Sequence, residues 1–398
     1  MTDQKDEMAR DEATGQARRE APTAANPTRE NRDADDNRAN GASADGQDRE
    51  IIFDQGLDIG KLLRPGTVRR QSLRGFDEDY VDIVDYIVRC TYKIWEQRGI
   101  GLIYTHYKQD TPVYKSDGFS LGRDEVVAST VQSQAATPDA LGFFQDIVWG
   151  GNDREGFLSS HRFLTTGRNT GYTAYGPPTN RKVRVWGIAN CLVRENLIVE
   201  EWLYHNELSY IRQLGLPIRE TVLRHAPERL DSLGPEQRGA IERLQGQEPP
   251  PVRGPKPDHF DIEDMVRRAM HDIWNRRMFN EVPAYYAENY LYHGTTDREY
   301  YGRGNYTAYI LSVLAMFPDA AMFIDDLRWV GNESVGYRTA VRWSLLGTHT
   351  GPGIYGKPTD RPVHMHGVTQ HRVKGGRFVE EWTVFDELQV VQQLWTGD

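Results

Sequence analysis

The C-terminal part of the chain brings together one carboxylate and four imidazoles that could move protons. Asp386 follows a Glu-Glu-Trp stretch, and His349, His364, His366 and His371 precede it. A carboxylate held in an apolar pocket has a raised pKa and can remove an acidic C–H proton, while an imidazole can carry that proton onward. The residues therefore predict acid/base chemistry, with Asp386 as the base and His366 or His371 as its partner.

The same stretch occurs twice in the chain. Residues 162–214 match residues 342–394 without a gap at an offset of 180, so "EEWLYHNEL" at 200–208 corresponds to "EEWTVFDEL" at 380–388. The counterparts of the four histidines and the aspartate, in chain order, are Asn169, Arg184, Trp186, Cys191 and Asn206. We read this as a domain duplication in which the second copy is the active one, because the first copy lacks all five groups.

Two other roles compete for these residues. Asp386 begins a predicted helix and has Gln389 three residues later, a pattern typical of an N-cap with a capping box. On a strand, His364 and His366 would share one face and His371 the other, so the first two could chelate a metal with His349 or Asp386. Since no dedicated ligand spacing accompanies them, we do not predict a metal site.

The elements that must position these groups can be read in the second copy. Apolar spacing predicts a helix over 261–279 that Asp261 caps, and a short helix around 281–288. Residues rich in β-branched and aromatic types predict strands at 320–330, 335–349, 362–374 and 377–385, followed by a closing helix. Helices, then an antiparallel meander, then a helix indicate an α+β fold with the helices on one face of a curved sheet.

The tail of the second copy resembles a known family. It fits the pattern of SnoaL-like (polyketide-cyclase-like) domains of the nuclear transport factor 2-like superfamily through Gly367, Arg372, Val373, Gly376, Phe378, Glu380, Trp382, Asp386, Gln393 and Leu394. The resemblance implies two tandem cone-shaped α+β barrels, each with N-terminal helices packed on a curved antiparallel sheet and a closing C-terminal helix. Because members often dimerise through their sheets, it also implies an internal pseudo-dimer or a homodimer.

The resemblance also implies a function. Polyketide cyclases of this family use a pocket carboxylate, which the motif maps to Asp386, without a cofactor. We therefore expect aldol-type cyclisation, isomerisation or dehydration of a small hydrophobic carbonyl compound. The superfamily also contains non-catalytic proteins, so the alternative is a small-molecule-binding or scaffold protein with two pockets.

The walls of the second pocket are expected from aromatic and histidine side chains. The predicted substrate-binding set is Trp274, Tyr286, Tyr290, His293, Trp343, His349, His364 and Trp382. The alternative for many of them is an ordinary aromatic core. The first copy has its own set, which consists of Trp95, Tyr107, His161, Trp186, Trp202, Tyr204 and His205.

Composition divides the rest of the chain. Residues 1–50 contain no Val, Ile, Leu, Phe, Tyr or Trp, which predicts a disordered tail. We expect an N-terminal arm at 51–79, a first SnoaL-like domain at 80–217, a Pro-rich linker at 218–257 and a second SnoaL-like domain at 258–398.

The net charge and the cysteine content limit the kinds of binding partner and compartment that we expect. The net charge of −10 gives no basic footprint for nucleic acid or an anionic membrane, and no apolar run approaches a membrane span. The two cysteines, Cys90 and Cys191, form neither a disulfide framework nor a zinc set and fit a reducing cytoplasm. A small hydrophobic molecule is the predicted partner, and the predicted location is cytoplasmic.

Overall fold

The structure is a computed structural model that describes residues 51–53, 59–64, 66–230 and 254–396. The predicted disordered tail lies outside the described residues, as do parts of the predicted arm and linker.

The first half of the described chain folds into short helices, a six-stranded sheet and two further helices. The helices are α1 (Ile59–Leu62), α2 (Ile83–Thr91), α3 (Ile103–His106), α4 (Arg123–Ala136), α5 (Glu207–Gln213) and α6 (Ile218–Leu230). The strands are β1 (Pro112–Lys115), β2 (Gly118–Leu121), β3 (Leu141–Asn152), β4 (Gly156–Arg168), β5 (Lys182–Arg194) and β6 (Leu197–His205).

The second half repeats this order of elements. Its helices are α7 (Ile262–Met270), α8 (Val282–Tyr285), α9 (Arg303–Met316) and α10 (Glu387–Trp395). Its strands are β7 (Tyr286–Gly294), β8 (Arg298–Tyr301), β9 (Ala321–Asn332), β10 (Gly336–Thr348), β11 (Pro362–Lys374) and β12 (Arg377–Phe385).

The two sheets have the same topology. Their strand orders are β2-β1-β6-β5-β4-β3 and β8-β7-β12-β11-β10-β9, and both sheets lie in one compact unit of the chain. The predicted α+β class with two tandem domains is confirmed. Each sheet is mixed, however, because β1 pairs in parallel with β6 and β7 pairs in parallel with β12. The β7–β8 hairpin was missed, and the first three residues of β7 fall in the region predicted as a helix around 281–288.

Helix α2 of the first half and its equivalent α7 of the second each begin at an aspartate N-cap and end in a wider turn. Asp82 accepts a hydrogen bond from the Asp85 N–H at 2.8 Å, and Asp261 accepts one from the Asp264 N–H at 3.0 Å. These caps satisfy N–H groups that have no partner within the helix. Both helices continue as a π-helical turn, Tyr92–Glu96 in one half and His271–Asn275 in the other, so the predicted helix over 261–279 is interrupted.

The long strands present opposite faces to two different environments, because alternate residues of a strand point to opposite sides. Over residues 364–371 of β11 and 380–385 of β12, odd-numbered residues face the helices of their own domain, and even-numbered ones face the other sheet. The register of the two strands shifts between Arg372 and Val373, so the even-numbered Phe378 lies on the helix side. Val368 and Val384 accordingly pack in one apolar cluster with Ile188 and Trp202 of the first sheet. The face of each sheet that contacts the other is thus separate from the face that contacts the helices.

Reciprocal cation–π contacts join the two sheets. The guanidinium of Arg162 lies 3.4 Å from the ring centre of Trp382, and that of Arg342 lies 4.0 Å from the ring centre of Trp202. Arg162 and Arg342 are equivalent at the offset of 180, as are Trp202 and Trp382. Each sheet therefore contributes one arginine and one tryptophan to the other.

The first part of the predicted linker forms α6, which packs against α10 of the second half. Val222 and Ala226 of this helix are buried, and Val222 joins the core cluster that contains most of the second domain. Within the residues that the structure describes, no helix is long and apolar enough to span a membrane.

Candidate active site

A cavity of about 50 Å³ lies between the helices and the inner face of the second sheet. Aromatic side chains and methionines form most of its wall, and one acidic and one imidazole side chain interrupt them. The lining residues are Met270, Trp274, Tyr286, Tyr292, Tyr306, Tyr309, Val313, Met322, Trp343, Leu345, Tyr355, Met365, Thr369, His371, Glu381, Thr383 and Phe385.

Glu381 is the polar centre of this wall. It is buried on β12, and its carboxylate accepts a hydrogen bond from the hydroxyl of Tyr290. The hydroxyl of Tyr306 lies 3.2 Å from Oε2, and the hydroxyl of Thr383 donates to Oε1 at 2.6 Å. His371 Nε2 lies 3.5 Å from Oε2. One buried carboxylate thus gathers three hydroxyl groups and an imidazole.

A chain of hydrogen bonds leads from the sheet to this carboxylate. Trp343 Nε1 donates to Thr369 Oγ1 at 2.9 Å, and the hydroxyls of Thr369 and Thr383 lie 2.7 Å apart. Because an indole N–H can only donate and Thr383 donates to Glu381, Thr369 must donate to Thr383. The chain is fully directed, which orients both threonine hydroxyls.

His371 is held on both sides. Its Nδ1 is 2.9 Å from the hydroxyl of Thr339 on β10, and its ring stacks on Phe378 with centroids 4.3 Å apart. Burial alone would raise the pKa of Glu381, but the hydrogen bond and charge of His371, with the hydroxyl donors, reverse this and lower that pKa. Glu381 is therefore an ionised carboxylate inside an aromatic cavity.

The tyrosines around Glu381 remain protonated. Burial, followed by the charge of Glu381, raises the pKa of both Tyr290 and Tyr306 well above the ordinary value. A phenol that keeps its proton can donate a hydrogen bond to a carboxylate or to another negatively charged oxygen.

Gly367 gives the aromatic side chains their place. A Cβ at this position of β11 would lie 2.5 Å from Trp343 Cζ2 and 2.8 Å from Phe385 Cβ. Because Gly367 has no side chain, both aromatic residues can lie over the strand and form part of the cavity wall.

Asp386 lies outside the residues that line this cavity. It is fully buried at the N-cap position of α10, but its side chain does not cap the helix. Instead Oδ1 accepts the backbone N–H of His366 at 2.9 Å, and Oδ2 has no hydrogen-bond partner among the described residues. Burial raises the pKa of this carboxyl to about 8. The predicted partner of Asp386 in a capping box, Gln389, donates to the carbonyl of Lys115 in the first domain.

The equivalent Asn206 connects the two domains. Its Nδ2 donates to Asp297 Oδ1 at 2.8 Å, and its Oδ1 accepts from the N–H of Thr296 at 2.6 Å. The amide thus uses both of its ends in a contact between the end of β6 and the turn that joins β7 to β8. An aspartate could not replace Asn206 in this contact, because a carboxylate has no N–H to donate to Asp297.

The predicted histidines divide between the two faces of β11. His371 lines the cavity, as do the predicted Trp274, Tyr286 and Trp343. His364 and His366 lie on the opposite face with ring centroids 5.6 Å apart, because their numbers are even. The structure therefore brings Glu381 to His371 and brings Asp386 to the backbone of His366.

Four other predicted residues lie around the site. Tyr290 is not a lining residue but contacts Glu381 from outside the cavity. Trp382 and His293 stack on each other with centroids 5.1 Å apart, on the face of the sheet that Arg162 covers. His349 is buried in the loop after β10, where its Nδ1 lies 3.2 Å from the hydroxyl of Thr359.

In the described ranges, no group of three or more His, Cys, Asp or Glu side chains is arranged to hold a metal ion.

The first domain has the same glutamate in a different setting. Glu201 accepts from Tyr107 at 3.1 Å, and Cys191 takes the place of His371, with Sγ 3.7 Å from Glu201 Oε1. Burial raises the pKa of Glu201 to about 7, which the hydrogen bonds only partly oppose. The exchange of His371 for Cys191, together with the loss of the Thr383 hydroxyl at Leu203, therefore accompanies a glutamate pKa that is lowered in one domain and raised in the other.

Glu381 was not among the residues predicted from the sequence. It stands in the repeated Glu-Glu-Trp, where it reads as part of the scaffold. Strand alternation could have revealed it, because Glu381, Thr383 and Phe385 share a face that excludes Trp382 and Asp386.

Solved structures similar to this chain cover about one of its domains. Wild-type IdmH from Streptomyces antibioticus is 24% identical, covers 33% of this chain and 96% of its own, and has a TM-score of 0.28. A SnoaL-like polyketide cyclase from Agrobacterium tumefaciens is 19% identical, with coverages of 34% and 99% and a TM-score of 0.28. TsrD from Streptomyces laurentii is 18% identical, with coverages of 34% and 96% and a TM-score of 0.30.

Sequence comparison matches the second domain to a family model. No curated protein sequence matches significantly. Residues 264–394 match the family model described as SnoaL-like polyketide cyclase, and this range runs from α7 to the end of α10. The second domain is thus similar in sequence to the SnoaL-like polyketide cyclases.

Proposed function

We propose that the second domain performs cofactor-free acid/base chemistry on a small hydrophobic carbonyl compound, with Glu381 and His371 as the proton-transferring pair. The observation that carries the proposal is an ionised glutamate on the wall of an aromatic cavity, 3.5 Å from a histidine. Aldol-type cyclisation, isomerisation and dehydration share a first step, the removal of a proton beside a carbonyl group. The match to the polyketide cyclase family supports this class of reaction.

Each polar group has a role in this proposal. Glu381 takes the proton from carbon, and His371 carries it onward while Thr339 fixes the orientation of the imidazole. Tyr306 lines the cavity and keeps its proton, so its hydroxyl can turn from Glu381 and donate to the enolate oxygen of the substrate. Trp274 and Trp343 supply apolar surface for the rest of the molecule.

Asp386 supplies the comparison for a test. It is as deeply buried as Glu381, but its carboxyl group bonds to the backbone of β11 rather than lining the cavity. We therefore assign the base to Glu381 and use Asp386→Asn as the matched variant, since the first domain already carries Asn206 at that position.

The experiment measures exchange of α-protons. The full chain is incubated in D₂O with small cyclic and open-chain ketones such as cyclopentanone, and deuterium incorporation is followed by NMR. We expect exchange faster than in buffer, a loss of about 100-fold in Glu381→Gln, and a rate in Asp386→Asn equal to that of the parent. Exchange that survives Glu381→Gln but disappears in Asp386→Asn would return the role of base to Asp386.

One observation favours a non-catalytic binding protein as the second candidate. Glu381 already accepts hydrogen bonds from Tyr290, Tyr306 and Thr383, and its pKa is lowered, which makes it a weak base. A parent chain that binds these ketones, seen as shifts in its own NMR signals, but never exchanges their protons would establish this alternative.

A further inference from the structure

We propose that the first domain holds a second small-molecule site, which takes an uncharged aromatic compound bearing a hydroxyl or carbonyl group. The site is on the inner face of the first sheet, where Phe163, Leu203, His205 and Trp95 are partly exposed, and we refer to this partly exposed surface as the trough. It does not depend on any chemistry in the second domain.

The inner face of the first sheet is open where that of the second sheet is closed. Among the buried lining residues of the second cavity, five on the long strands have equivalents that are partly exposed. The buried residues are Trp343, Leu345, Met365, Thr383 and Phe385, and the partly exposed equivalents are Phe163, Thr165, Val185, Leu203 and His205. Trp95 occupies the place of Trp274, also partly exposed.

Smaller side chains leave the trough uncovered. Tyr309 of α9 lines the second cavity, and its equivalent on α4 is Ser129, which is exposed. Met322 of β9 also lines that cavity, and its equivalent on β3 is Gly142. Glu96 occupies the space beside Gly142, where a Cβ would lie 2.6 Å from its Oε1, so the cover that the first domain lacks is the aromatic ring of Tyr309.

The floor of the trough offers a row of flat rings. The ring of His161 is 5.7 Å from that of Phe144 and 6.2 Å from that of Phe163, and Phe163 is 5.4 Å from His205. Gly187 makes room for this row, because a Cβ there would lie 2.9 Å from Phe163 Cζ. Such a row favours a flat aromatic ligand that can stack or meet the rings edge-on.

Polar atoms without partners lie in the same floor. His161 is 5% exposed, and neither its Nδ1 nor Ser159 Oγ has a hydrogen-bond partner in the part of the chain that is described. His161 and His205 replace the apolar Val341 and Phe385 of the second domain. A buried polar group without a hydrogen-bond partner costs free energy. A ligand hydroxyl or carbonyl group that bonds to one of these imidazoles would remove that cost.

The charges around the trough select an uncharged ligand. Burial lowers the pKa of His161 to about 3 and that of His205 to about 4, so both rings are neutral at neutral pH. Neither imidazole can then pair with an anion. At the rim, the carboxylate of Glu96 accepts the N–H of Gly142, which adds repulsion against an anionic compound.

The test uses 2-naphthol, a neutral aromatic alcohol, titrated into the full chain while tryptophan fluorescence is recorded. We expect one equivalent to bind, and weaker binding of the anion naphthalene-2-sulfonate. His205→Phe removes the polar anchor and Ser129→Tyr restores the cover found in the second domain, so each should raise Kd at least about tenfold. Ala128→Tyr is the matched control: it adds the same ring to the adjacent exposed position of α4 and should leave Kd unchanged.

Three outcomes would overturn the proposal. They are the lack of saturable 2-naphthol binding to the parent, unchanged binding in either trough variant, and binding of the sulfonate as tightly as the alcohol. The comparison of the two probes uses the parent alone, so it stands even if a variant fails to fold, which circular dichroism would reveal.

Discussion

One position on the middle strand of each sheet contributes to the different pKa values of the two buried glutamates. His371 faces Glu381 in the second domain, and Cys191 faces Glu201 in the first. An imidazole can donate and carry positive charge, whereas a buried thiol gives only a weak hydrogen bond. The pKa of the glutamate is accordingly lowered in one domain and raised to about 7 in the other.

Exchange of these two side chains should exchange the pKa values. In His371→Cys we expect the pKa of Glu381 to rise above its ordinary value, because burial is then opposed only by hydroxyl groups. In the matched Cys191→His, the pKa of Glu201 should fall. Chains carrying ¹³C at the glutamate carboxyl carbon allow both titrations to be followed by NMR.

The stability of the parent depends on pH with a definite sign at this residue. Since the pKa of folded Glu381 lies below that of the unfolded chain, its contribution is present above the unfolded pKa and is lost as pH falls through the folded one. His371→Cys should abolish that loss. If Glu381 titrates at the same pH in the parent and in the variant, His371 is not the cause of its lowered pKa.

At the scale of elements, a glycine in the middle of a long strand positions the aromatic wall. Gly367 of β11 lies beneath Trp343 and Phe385, and Gly187 of β5 lies beneath Phe163 and His205. Glycine ordinarily weakens a strand, so its use here indicates a close approach of side chains to the backbone.

Gly367→Ala should destabilise the chain by about 1–3 kcal/mol, because the new methyl group overlaps both aromatic residues. The matched control is Gly304→Ala in α9, where a Cβ meets nothing within 4 Å and helix propensity favours alanine. Urea unfolding of the two variants measures the difference. Equal stability of Gly367→Ala and the parent would mean that the wall can shift without cost.

The elements could be predicted from the sequence to different extents. The four long strands of the second domain were predicted within two residues at each end, because β-branched and aromatic residues and Gly-rich turns mark them. The β7–β8 hairpin was not, since β7 pairs in parallel with β12, which is distant in sequence. Glu381 was missed for a similar reason: the face that becomes a cavity wall is decided by the packing of helices on the sheet.

At the scale of the whole molecule, the two sheets use their outer faces against each other. Arg162 lies on Trp382 and Arg342 lies on Trp202, while Gln370 donates to the Ser160 carbonyl at 3.0 Å. We propose that this contact is the sheet-to-sheet pair that related domains form between separate chains.

The chain should therefore be a monomer in solution, because the sheet surfaces that would pair with another copy are already covered. Light scattering coupled to size-exclusion chromatography would give the mass of one chain across a range of concentrations. A mass of two chains that persists on dilution would contradict this, and would indicate that sheets of different copies are paired.

The separation of the two faces of each sheet has a consequence for how this protein can diverge. Over residues 364–371 and 380–385, a substitution at an odd-numbered position alters the cavity side of the sheet, and one at an even-numbered position alters the contact between sheets. Selection can therefore change the ligand-facing side of one sheet while the contact between the two sheets is preserved. Natural variants should accordingly carry substitutions in the trough of the first domain far more often than at Arg162 or Trp382, where one replacement disturbs both halves together.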